Sequence, residues 1–596
     1  MMYAGKQSSG RGRQNDGTQK PKDVSKVLKR LWDYLYFYKR KLILALVLSV
    51  IANVLSLVGP FLTGRTVSAM EDGVNFNMVF IFAGLMIIFY LISAVLNYFL
   101  AKAMVRISQS VVYKMREDVF TKLSKVHIKY YDQNQTGDII SKMSYDIDTI
   151  NTSLATDVLS IITSSITLVI SFVMMVIMSP LLVLIFLVTI PISFMLTRVL
   201  SKIVKKKYRR RNFMLGQLNG FSEEMISGQR TIQSYVLEKP ILDKFQELNQ
   251  EASKASYESG YYATSVMPTV NFMTNLSVAL VGVFGGLMYY NSQITLGKLT
   301  SFTLYSRRFS GPINQLSHII ADIQSALAAA ERIFNVLDQE EEVKDSDDAY
   351  DLLNVSGKVE FKDVTFGYFE DQPVLKNVSF KVKPGQVVAV VGPTGSGKTT
   401  LINLLMRFYD ANKGQIYIDD IHIQNIKREH LRKSFSMVLQ DTWIFHGSVH
   451  DNIAYGNGDV TRFEVEQAAK KARIHTYISQ LPMGYDQILT DDGLSISKGQ
   501  KQLIVIARAI LSKTKMLILD EATSNVDTHA EFQIQKAMLE LMKHKTSFVI
   551  AHRLSTIVGA DMILVIHEGK LIESGSHEKL LEQKGFYHDL YHSQFE

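Results

Sequence analysis

A glycine-rich loop containing a lysine lies between an apolar run and a helical run in the second half of the chain. Residues 392–399 are GPTGSGKT, with the spacing GxxxxGK[ST]. A strand, such a loop and a helix in this order bind phosphate, because backbone N–H groups and the helix N-terminus face the phosphate oxygens. We therefore expect a nucleoside triphosphate to contact this segment: Gly392, Pro393, Thr394, Gly395, Ser396, Gly397, Lys398, Thr399 and Thr400.

Two side chains of this loop suit particular parts of the nucleotide. Lys398 would reach the β- and γ-phosphates, and the Thr399 hydroxyl would bind Mg²⁺. The alternative is a glycine turn that only joins a strand to a helix. The spacing, and the apolar run Val387–Val391 before the loop, argue against that alternative.

Other residues able to handle a nucleotide follow along the second half. Tyr368, in VTFGYF upstream of the loop, offers an aromatic ring that could stack on adenine. Gln440 follows an apolar run and has an amide that could reach Mg²⁺ or its water. The segment MLILDE is predicted to be a buried strand that delivers Asp520 to the Mg²⁺ and Glu521 to the attacking water.

Three further segments complete this order. GLSISKGQKQ at 493–502 precedes a strong helical run, SNVD occupies 524–527, and VIAHRLST places His552 after another buried run. Taken alone, His552 would more often be a core histidine, and Glu521 would be one carboxylate among many. Their position after a phosphate loop favours the catalytic interpretation of both.

The complete order of motifs resembles the ATP-binding cassette (ABC) family, specifically an exporter half with membrane and nucleotide domains fused. The resemblance covers nearly everything after residue 26. It implies that two nucleotide domains enclose two ATP molecules, each between the phosphate loop of one and the signature segment of the other. It also implies catalytic roles for Glu521 and His552, and nucleotide contacts from Ser497, Gly499, Gln500 and Asp527.

The signature segment departs from the family pattern LSGGQ. This chain has Ile496, Ser497, Lys498, Gly499 and Gln500 there, so that a lysine replaces a glycine. A Cβ and a mobile charge then occupy a place where close backbone approach is wanted. This asymmetry predicts a heterodimer whose other subunit has an intact signature and a degenerate catalytic site. A homodimer with a tolerated variant signature is the alternative.

Composition limits the kinds of site that the chain can have. The chain has 596 residues, no cysteine and a net charge of +8, with eleven Lys/Arg against three Asp/Glu in the first 41 residues. Disulfides and thiolate metal sites are thus excluded. The only metal expected is the Mg²⁺ that arrives with ATP, and no nucleic-acid partner is expected.

The first half contains six apolar runs long enough to cross a bilayer as helices. The fifth and sixth are more polar, and the sixth includes Arg307 and Arg308. The six predicted spans are Leu42–Leu62, Met78–Leu100, Val158–Met178, Leu181–Leu200, Thr269–Tyr290 and Leu299–Ile320.

Charge predicts the orientation of these spans. The tail and the segments 101–155 and 201–265 are rich in Lys/Arg, whereas the short connections on the other side contain only Arg65 and Lys298. The positive-inside rule places the basic segments, the N-terminus and the nucleotide domain in the cytoplasm. We read the two long segments as helical extensions with short connectors near 131–146 and 220–234, which would dock on the nucleotide domains; solvated loops are the alternative.

The predicted fold is thus multi-domain. An all-α six-helix transmembrane domain of the ABC exporter type is fused to an α/β phosphate-loop ATPase, which has an antiparallel β portion near 357–390 and a helical subdomain near 441–510. The expected domains are a disordered basic tail (1–25), the transmembrane domain (26–336), an acidic linker (337–356) and the nucleotide domain (357–596). A bacterial cytoplasmic membrane is the predicted location.

Residues of the sixth span bear on the transported compound. Helical spacing of Leu304, Arg308, Gly311 and Gln315 suggests a cavity lining, although the arginines could instead pair between helices. We expect ATP-driven export of hydrophobic, amphipathic or cationic drug-like compounds, with membrane lipids as neighbours. A lipid or peptide exporter of the same fold is the nearest alternative. An ATP-gated channel is a further alternative, but it would need a continuous hydrophilic pore. A soluble DNA-repair ATPase is excluded by the six spans.

Overall fold

The structure, a computed structural model, describes residues 23–71, 75–369, 371–440, 442–489, 496–520, 528–550 and 557–595. The chain divides into two compact units, the first ending at Glu341 and the second starting at Glu342. The domain limits expected from the sequence remain predictions. Most of the predicted tail lies outside the described residues, but helix α1 already begins at Val24, because the Asp23 side chain accepts a hydrogen bond from the Lys26 N–H (3.1 Å).

The described part of the first unit is helical. Short π-helical turns at Lys142–Asp146 and Ser153–Asp157 interrupt its third long helical segment. In chain order the α-helices are α1 Val24–Tyr36, α2 Lys39–Glu71, α3 Phe76–Leu123, α4 Ile128–Gln133, α5 Thr136–Ser141, α6 Ile147–Thr152, α7 Val158–Met178, α8 Pro180–Ser227, α9 Gln229–Ser234, α10 Glu238–Tyr290 and α11 Leu296–Leu337.

Several of these helices are much longer than a bilayer is thick. Helices α3, α8 and α10 have 48, 48 and 53 residues. At 1.5 Å per residue each extends over roughly 70–80 Å, more than twice the ~30 Å of hydrocarbon. The predicted helical character of 101–155 and 201–265 is therefore confirmed, and short helices lie in the predicted connectors, namely α4, α5 and α9.

Five helical segments within the described residues are long and apolar enough to cross a membrane. They are Lys39–Glu71, Phe76–Leu123, Thr136–Met178, Pro180–Ser227 and Glu238–Tyr290, and they contain the first five predicted spans. The sixth predicted span lies in α11, a helix of 42 residues that is long enough but does not belong to this apolar set.

A buried ion pair joins the predicted connector near 131–146 to α11. Arg332 donates from Nε to Asp146 Oδ2 (2.8 Å) and from Nη2 to Oδ1 (2.5 Å). The Asp146 side chain is only 5% exposed, whereas that of Asp148, which pairs with Arg116, is 63% exposed. Asp146 and Asp148 are only two residues apart, but we expect them to differ greatly in their contribution to stability.

We expect Asp146→Ala to lower the free energy of unfolding of the first unit by about 3–5 kcal/mol, because the substitution leaves the Arg332 charge partly buried and unpaired. Asp148→Ala is the matched control and should cost less than about 1 kcal/mol. Thermal unfolding of the purified protein in detergent measures both. Equal shifts for the two variants would contradict the importance of the Asp146 pair.

The second unit is an α/β domain with two main sheets. A four-stranded sheet has the order β2-β1-β4-β5, and a six-stranded sheet has the order β12-β11-β3-β10-β9-β6. The strands are β1 Val359–Phe366, β2 Leu375–Val382, β3 Val387–Val391, β4 Lys413–Ile418, β5 Ile421–His422, β6 Phe435–Val438, β7 Gly447–Ser448, β8 Ile488–Leu489, β9 Met516–Asp520, β10 Thr546–Ile550, β11 Met562–His567 and β12 Lys570–Gly575.

The smaller sheet is antiparallel, and two of its strands form the predicted β portion near 357–390. The predicted helical subdomain is also present as α14 to α17. The helices are α12 Lys398–Leu405, α13 Arg428–Lys433, α14 Val449–Ala454, α15 Arg462–Lys471, α16 His475–Gln480, α17 Lys498–Leu511, α18 Thr528–Met542, α19 His577–Glu582 and α20 Phe586–Phe595.

The acidic stretch at the start of the second unit is fastened to the domain by arginines. Arg428 donates to Asp345 (2.7 Å), and Arg432 donates from Nη1 to Glu342 (3.0 Å). Arg428 is 8% exposed, so its charge needs these carboxylates. The acidic side chains thus pair with arginines of the domain, which the acidic composition of this stretch did not predict.

Candidate functional site

Parallel strands bring the predicted nucleotide residues to one edge of the six-stranded sheet. Strands β3, β10, β9 and β6 run parallel, and Ile550 at the end of β10 pairs with both Val390 and Asp520. Because parallel strands share their carboxyl edge, the phosphate loop after β3 and Asp520 at the end of β9 lie on the same side, as does Gln440 shortly after β6. Ligands of open α/β sheets bind at this edge.

The phosphate loop is built on glycines whose conformation other residues rarely adopt. Gly392 has φ 150° and Gly397 has φ 108°. A Cβ at Gly392 would lie 2.1 Å from the Ile566 carbonyl oxygen, and one at Gly397 would lie 2.7 Å from a Leu375 methyl carbon. The loop therefore needs both glycines to turn into α12, which begins at the next residue.

Lys398 lies folded into this loop. Its Nζ donates to the carbonyl oxygens of Gly392 (2.7 Å) and Pro393 (3.0 Å), and the residue is 8% exposed. Burial lowers the pKa of Lys398, and the Asp520 carboxylate partly offsets that lowering. A buried ammonium whose hydrogen bonds go only to neutral carbonyls gains when an anion approaches, so its environment fits a phosphate ligand.

A second polar group of the loop has no partner within the described residues. The Ser396 hydroxyl is buried and makes no hydrogen bond. Buried polar groups are normally satisfied, and an exception calls for a missing ligand or a functional reason. Together with the glycine cradle and Lys398, this hydroxyl fits the phosphates of ATP.

The predicted Mg²⁺ residues surround the same edge. Thr399 follows Lys398 with an exposed side chain, Gln440 is also exposed, and Asp520 is half-buried at the end of its strand. A hydroxyl, an amide and a carboxylate are oxygen ligands of the kind that Mg²⁺ uses beside nucleotide phosphates. Their roles as ligands stay predictions.

Tyr368, predicted to stack on adenine, is held by contacts with α12. Its hydroxyl lies 3.2 Å from Thr400 Oγ1 and accepts a hydrogen bond from Asn403 Nδ2 (3.1 Å). Its ring packs edge-on against Phe366 and Tyr409, with centroids 5.1 and 5.0 Å away. Asn403 thus positions the predicted adenine platform, a role that sequence reasoning missed because an asparagine inside a helix gives no signal of its own.

We expect Asn403→Leu to raise the KM for ATP about two- to tenfold, since it removes one hydrogen bond that orients Tyr368. Steady-state hydrolysis at varied ATP concentration measures the effect, and kcat should change little. Tyr368→Phe removes the same bond from the other side, so the two changes should not add in the double variant. Additive effects would show that Asn403 acts elsewhere.

The variant signature forms the start of a long helix. Ser497 is the N-cap of α17 and accepts from the Gln500 N–H (3.2 Å), while the Gln500 side chain accepts from the Ser497 N–H (2.9 Å). Lys498 is the first helical residue and is exposed, whereas Gly499 is buried. The segment therefore presents a lysine at the positive end of the helix.

Three predicted site residues, Glu521, Asp527 and His552, lie outside the described residues. The described strands lead directly to two of them, since β9 ends at Asp520 and β10 ends at Ile550. Their catalytic and binding roles stay predictions.

None of the four α11 residues predicted to line a cavity lines the described one. Arg308 donates from Nη1 to Ser56 Oγ on α2 (2.9 Å), and Gln315 Oε1 accepts from Ser164 Oγ on α7 (3.1 Å). These contacts match the alternative in which polar groups pair between helices, because hydrocarbon offers them no other partner. In the cavity of about 310 Å³ between α8, α10 and α11, the described residue of α11 is Ser310.

Comparisons with known proteins agree with this architecture. A model of the ABC transporter transmembrane region matches residues 42–313, and an ABC transporter model matches residues 375–524. The chain is 41% identical to the uncharacterized ABC transporter ATP-binding protein YfiC of Bacillus subtilis, over 97% of this chain and 96% of that protein. It is 40% identical to the fatty acid ABC transporter ATP-binding/permease protein of Mycobacterium bovis, over 87% and 82% of the two chains.

A solved structure gives the same answer for the fold. A bacterial Atm1-family ABC exporter with ATP bound superposes with a TM-score of 0.74 at 28% identity, covering 94% of this chain and 98% of that chain. Helices that cross the membrane several times precede a domain whose loop fits ATP. This chain belongs to the ABC transporter family, as an exporter half-transporter in which a helical membrane domain is fused to an ATP-hydrolysing domain.

Proposed function

We propose that this chain is one half of a heterodimeric exporter that uses ATP to move hydrophobic or amphipathic compounds out of a bacterial cytoplasmic membrane. The nucleotide domain and the N-terminus would lie in the cytoplasm. Amphipathic, lipid-like compounds are the first substrate class, and multidrug efflux of hydrophobic compounds is the second. The name of the mycobacterial relative, a fatty acid transporter, supports the lipid-like class.

The observation that carries the heterodimer is Lys498. The other described residues of the candidate ATP site match the family pattern. At the signature, however, an exposed lysine replaces a glycine. In a homodimer that lysine would face both ATP molecules. In a heterodimer it would face only the partner's ATP, and this chain's own phosphate loop would meet an intact signature.

In this proposal the chain's own residues position the nucleotide. Lys398 would leave the Gly392 and Pro393 carbonyls to neutralise phosphate charge, and Tyr368 would stack on the base. Thr399, Asp520 and Gln440 would hold Mg²⁺, which supplies further charge neutralisation when bound. Glu521 would polarise the attacking water, and His552 would hold the γ-phosphate in place. Positioning and electrostatics of this kind account for most of the catalysis of phosphoryl transfer.

We expect the chain alone to hydrolyse ATP slowly in lipid, and the chain combined with a partner half-transporter that has an intact signature to hydrolyse ATP at least about tenfold faster. The reason is that only the pair would contain one intact composite site, and such electrostatic sites account for rate factors of this order or more. ATPase assays of the separate and mixed proteins measure the rates. Lys498→Gly should raise the rate of the chain alone.

Transport is tested in inside-out vesicles that contain the pair. ATP-dependent uptake of fluorescent amphiphiles should appear with ATP and not with a nonhydrolysable analogue. Full ATPase activity of the chain alone, unchanged by Lys498→Gly, would mean a homodimer. Absence of ATP-dependent uptake for every amphiphile would contradict the proposed substrate class.

A further inference from the structure

A cavity of about 310 Å³ lies between α8, α10 and α11 of the first unit. Its volume is near the lower end of the roughly 300–1,000 Å³ found for small-molecule sites. Aliphatic and aromatic groups line one part of it, including Phe186, Ile190, Phe194 and Met273. Most of the remaining described lining residues carry hydroxyls, so the cavity is amphipathic.

Helix α8 presents two parallel rows to this cavity. One row repeats every four residues as Phe186, Ile190, Phe194 and then Arg198. The neighbouring row, Thr189 to Ser201 at the same spacing, consists of hydroxyl residues. Residues four apart lie on the same face of a helix, so an apolar strip about 12 Å long leads to a guanidinium one turn farther on.

Charge in the cavity has one sign. Arg198 is the single charged residue among the described lining residues, and no described carboxylate lines the cavity. In the described part of the chain its guanidinium makes no ion pair or hydrogen bond. Arg198 is exposed and lies two residues before the end of the predicted span Leu181–Leu200, where an arginine can hold its charge at the level of the lipid headgroups.

A second polar group points to a ligand independently of Arg198. Thr189 lines the cavity, is 6% exposed, and its hydroxyl has no hydrogen-bond partner within the described residues. On a helix a threonine hydroxyl can bond a carbonyl one turn back, as Thr269 does with Ser265 (2.8 Å). The Thr189 hydroxyl is therefore an unpartnered polar group buried in the wall of the cavity.

We propose that this cavity binds a single-chain anionic amphiphile, with its acidic headgroup at Arg198 and its hydrocarbon chain along Phe194, Ile190 and Phe186. This inference rests on the proposed export of amphipathic compounds and names their charge. It replaces the expectation of cationic substrates for this site, because a cation would meet a guanidinium and no carboxylate. The headgroup chemistry shared by carboxylates and phosphate monoesters is what the arginine recognises.

Equilibrium binding to the full-length protein in phosphatidylcholine nanodiscs tests the proposal, with empty nanodiscs as the partition blank. The probes are dodecanoate, dodecyl phosphate, dodecanol and dodecyltrimethylammonium, which share a chain and differ in headgroup. We expect at least one of the two anions to bind saturably, and dodecanol and the cation to bind about tenfold or more weakly. Whichever anion binds more tightly identifies the headgroup.

Arg198→Gln should weaken anion binding about tenfold to a hundredfold, the range expected for losing a hydrogen bond to a charged group, without changing dodecanol binding. Arg198→Lys keeps the charge but not the planar fork, so it should lose less affinity than Arg198→Gln, which also verifies folding. Lys206→Gln removes an exposed charge from the same helix outside the cavity lining, and it should have no effect.

Two results would overturn the proposal: equal binding of dodecanol, the cation and the anions, or anion binding that Arg198→Gln does not change. These failures are distinguishable from failure of the proposed function, because binding is measured without nucleotide. ATP-driven uptake of neutral amphiphiles that is insensitive to Arg198→Gln would keep the exporter and reject the anion site. Anion binding at Arg198 without any ATP-driven uptake would keep the site and reject the export.

Discussion

Lys398→Met is expected to reduce ATP hydrolysis by the assembled exporter by roughly 10²–10³-fold, the size of effect seen when one preorganised electrostatic group is lost. The ammonium is already buried beside the loop, with its Nζ 2.7 Å from the Gly392 carbonyl oxygen. The ammonium is thus largely removed from water before ATP arrives, and its charge is weakly screened. ATP affinity should fall together with turnover.

Two measurements separate this expectation from general damage. Fluorescent nucleotide binding should show weaker ATP affinity in Lys398→Met, while thermal unfolding without nucleotide should change little. Lys383→Met, which alters an exposed lysine on the same unit, serves as the control. A variant with normal folding and more than about a tenth of wild-type hydrolysis would contradict the role of Lys398, since loss of such a group costs a factor of at least 10².

Glu521→Gln is expected to leave ATP binding intact and to reduce hydrolysis about 10²–10⁴-fold, the range for loss of a positioned general base. The amide keeps the size of the side chain but cannot accept the proton of the attacking water. Glu521 follows Asp520, the last residue of β9. The variant should therefore accumulate in an ATP-bound state.

Trapping of radiolabelled ATP, scored as intact nucleotide retained after gel filtration, measures that state. Glu568→Gln, an exposed carboxylate at a turn, is the control and should hydrolyse ATP at the wild-type rate. Retained hydrolysis in Glu521→Gln, when paired with the partner, would place the working base elsewhere. Loss of ATP binding would make Glu521 a structural residue.

Local patterns predicted the segments that form the candidate ATP site. The loop GPTGSGKT and the apolar runs before Gln440 and Asp520 are contiguous in sequence, and their chemistry depends on backbone conformation that nearby residues impose. The structure then shows β3, β9 and β6 in one parallel sheet, which brings these segments to a single edge. The predicted third span, Val158–Met178, likewise coincides with α7.

Such local patterns did not predict contacts between segments far apart in the chain. Nothing in the sequence pairs Asn403 with Tyr368, or Asp146 with Arg332, which are 35 and 186 residues apart. Arg308 shows the difference most clearly: helical spacing suggested a cavity lining, whereas its guanidinium bonds Ser56 on α2. Which side chains meet across helices depends on the rotation and approach of each helix, and single-helix periodicity does not contain that information.

The sequence by itself thus determined the family, the nucleotide chemistry and the long membrane helices, because each of these depends on contiguous residues: a loop, a strand end, or about 20 apolar residues in a row. Only the tertiary structure decided which polar groups bond to neighbouring helices and which remain available to ligands. The same helical periodicity applies to Arg308 and Arg198, but the fold pairs the first with Ser56 and leaves the second facing a cavity. The reason is that a hydrogen bond or an ion pair depends on distances of about 3 Å between segments far apart in the chain, and only the packed molecule sets those distances.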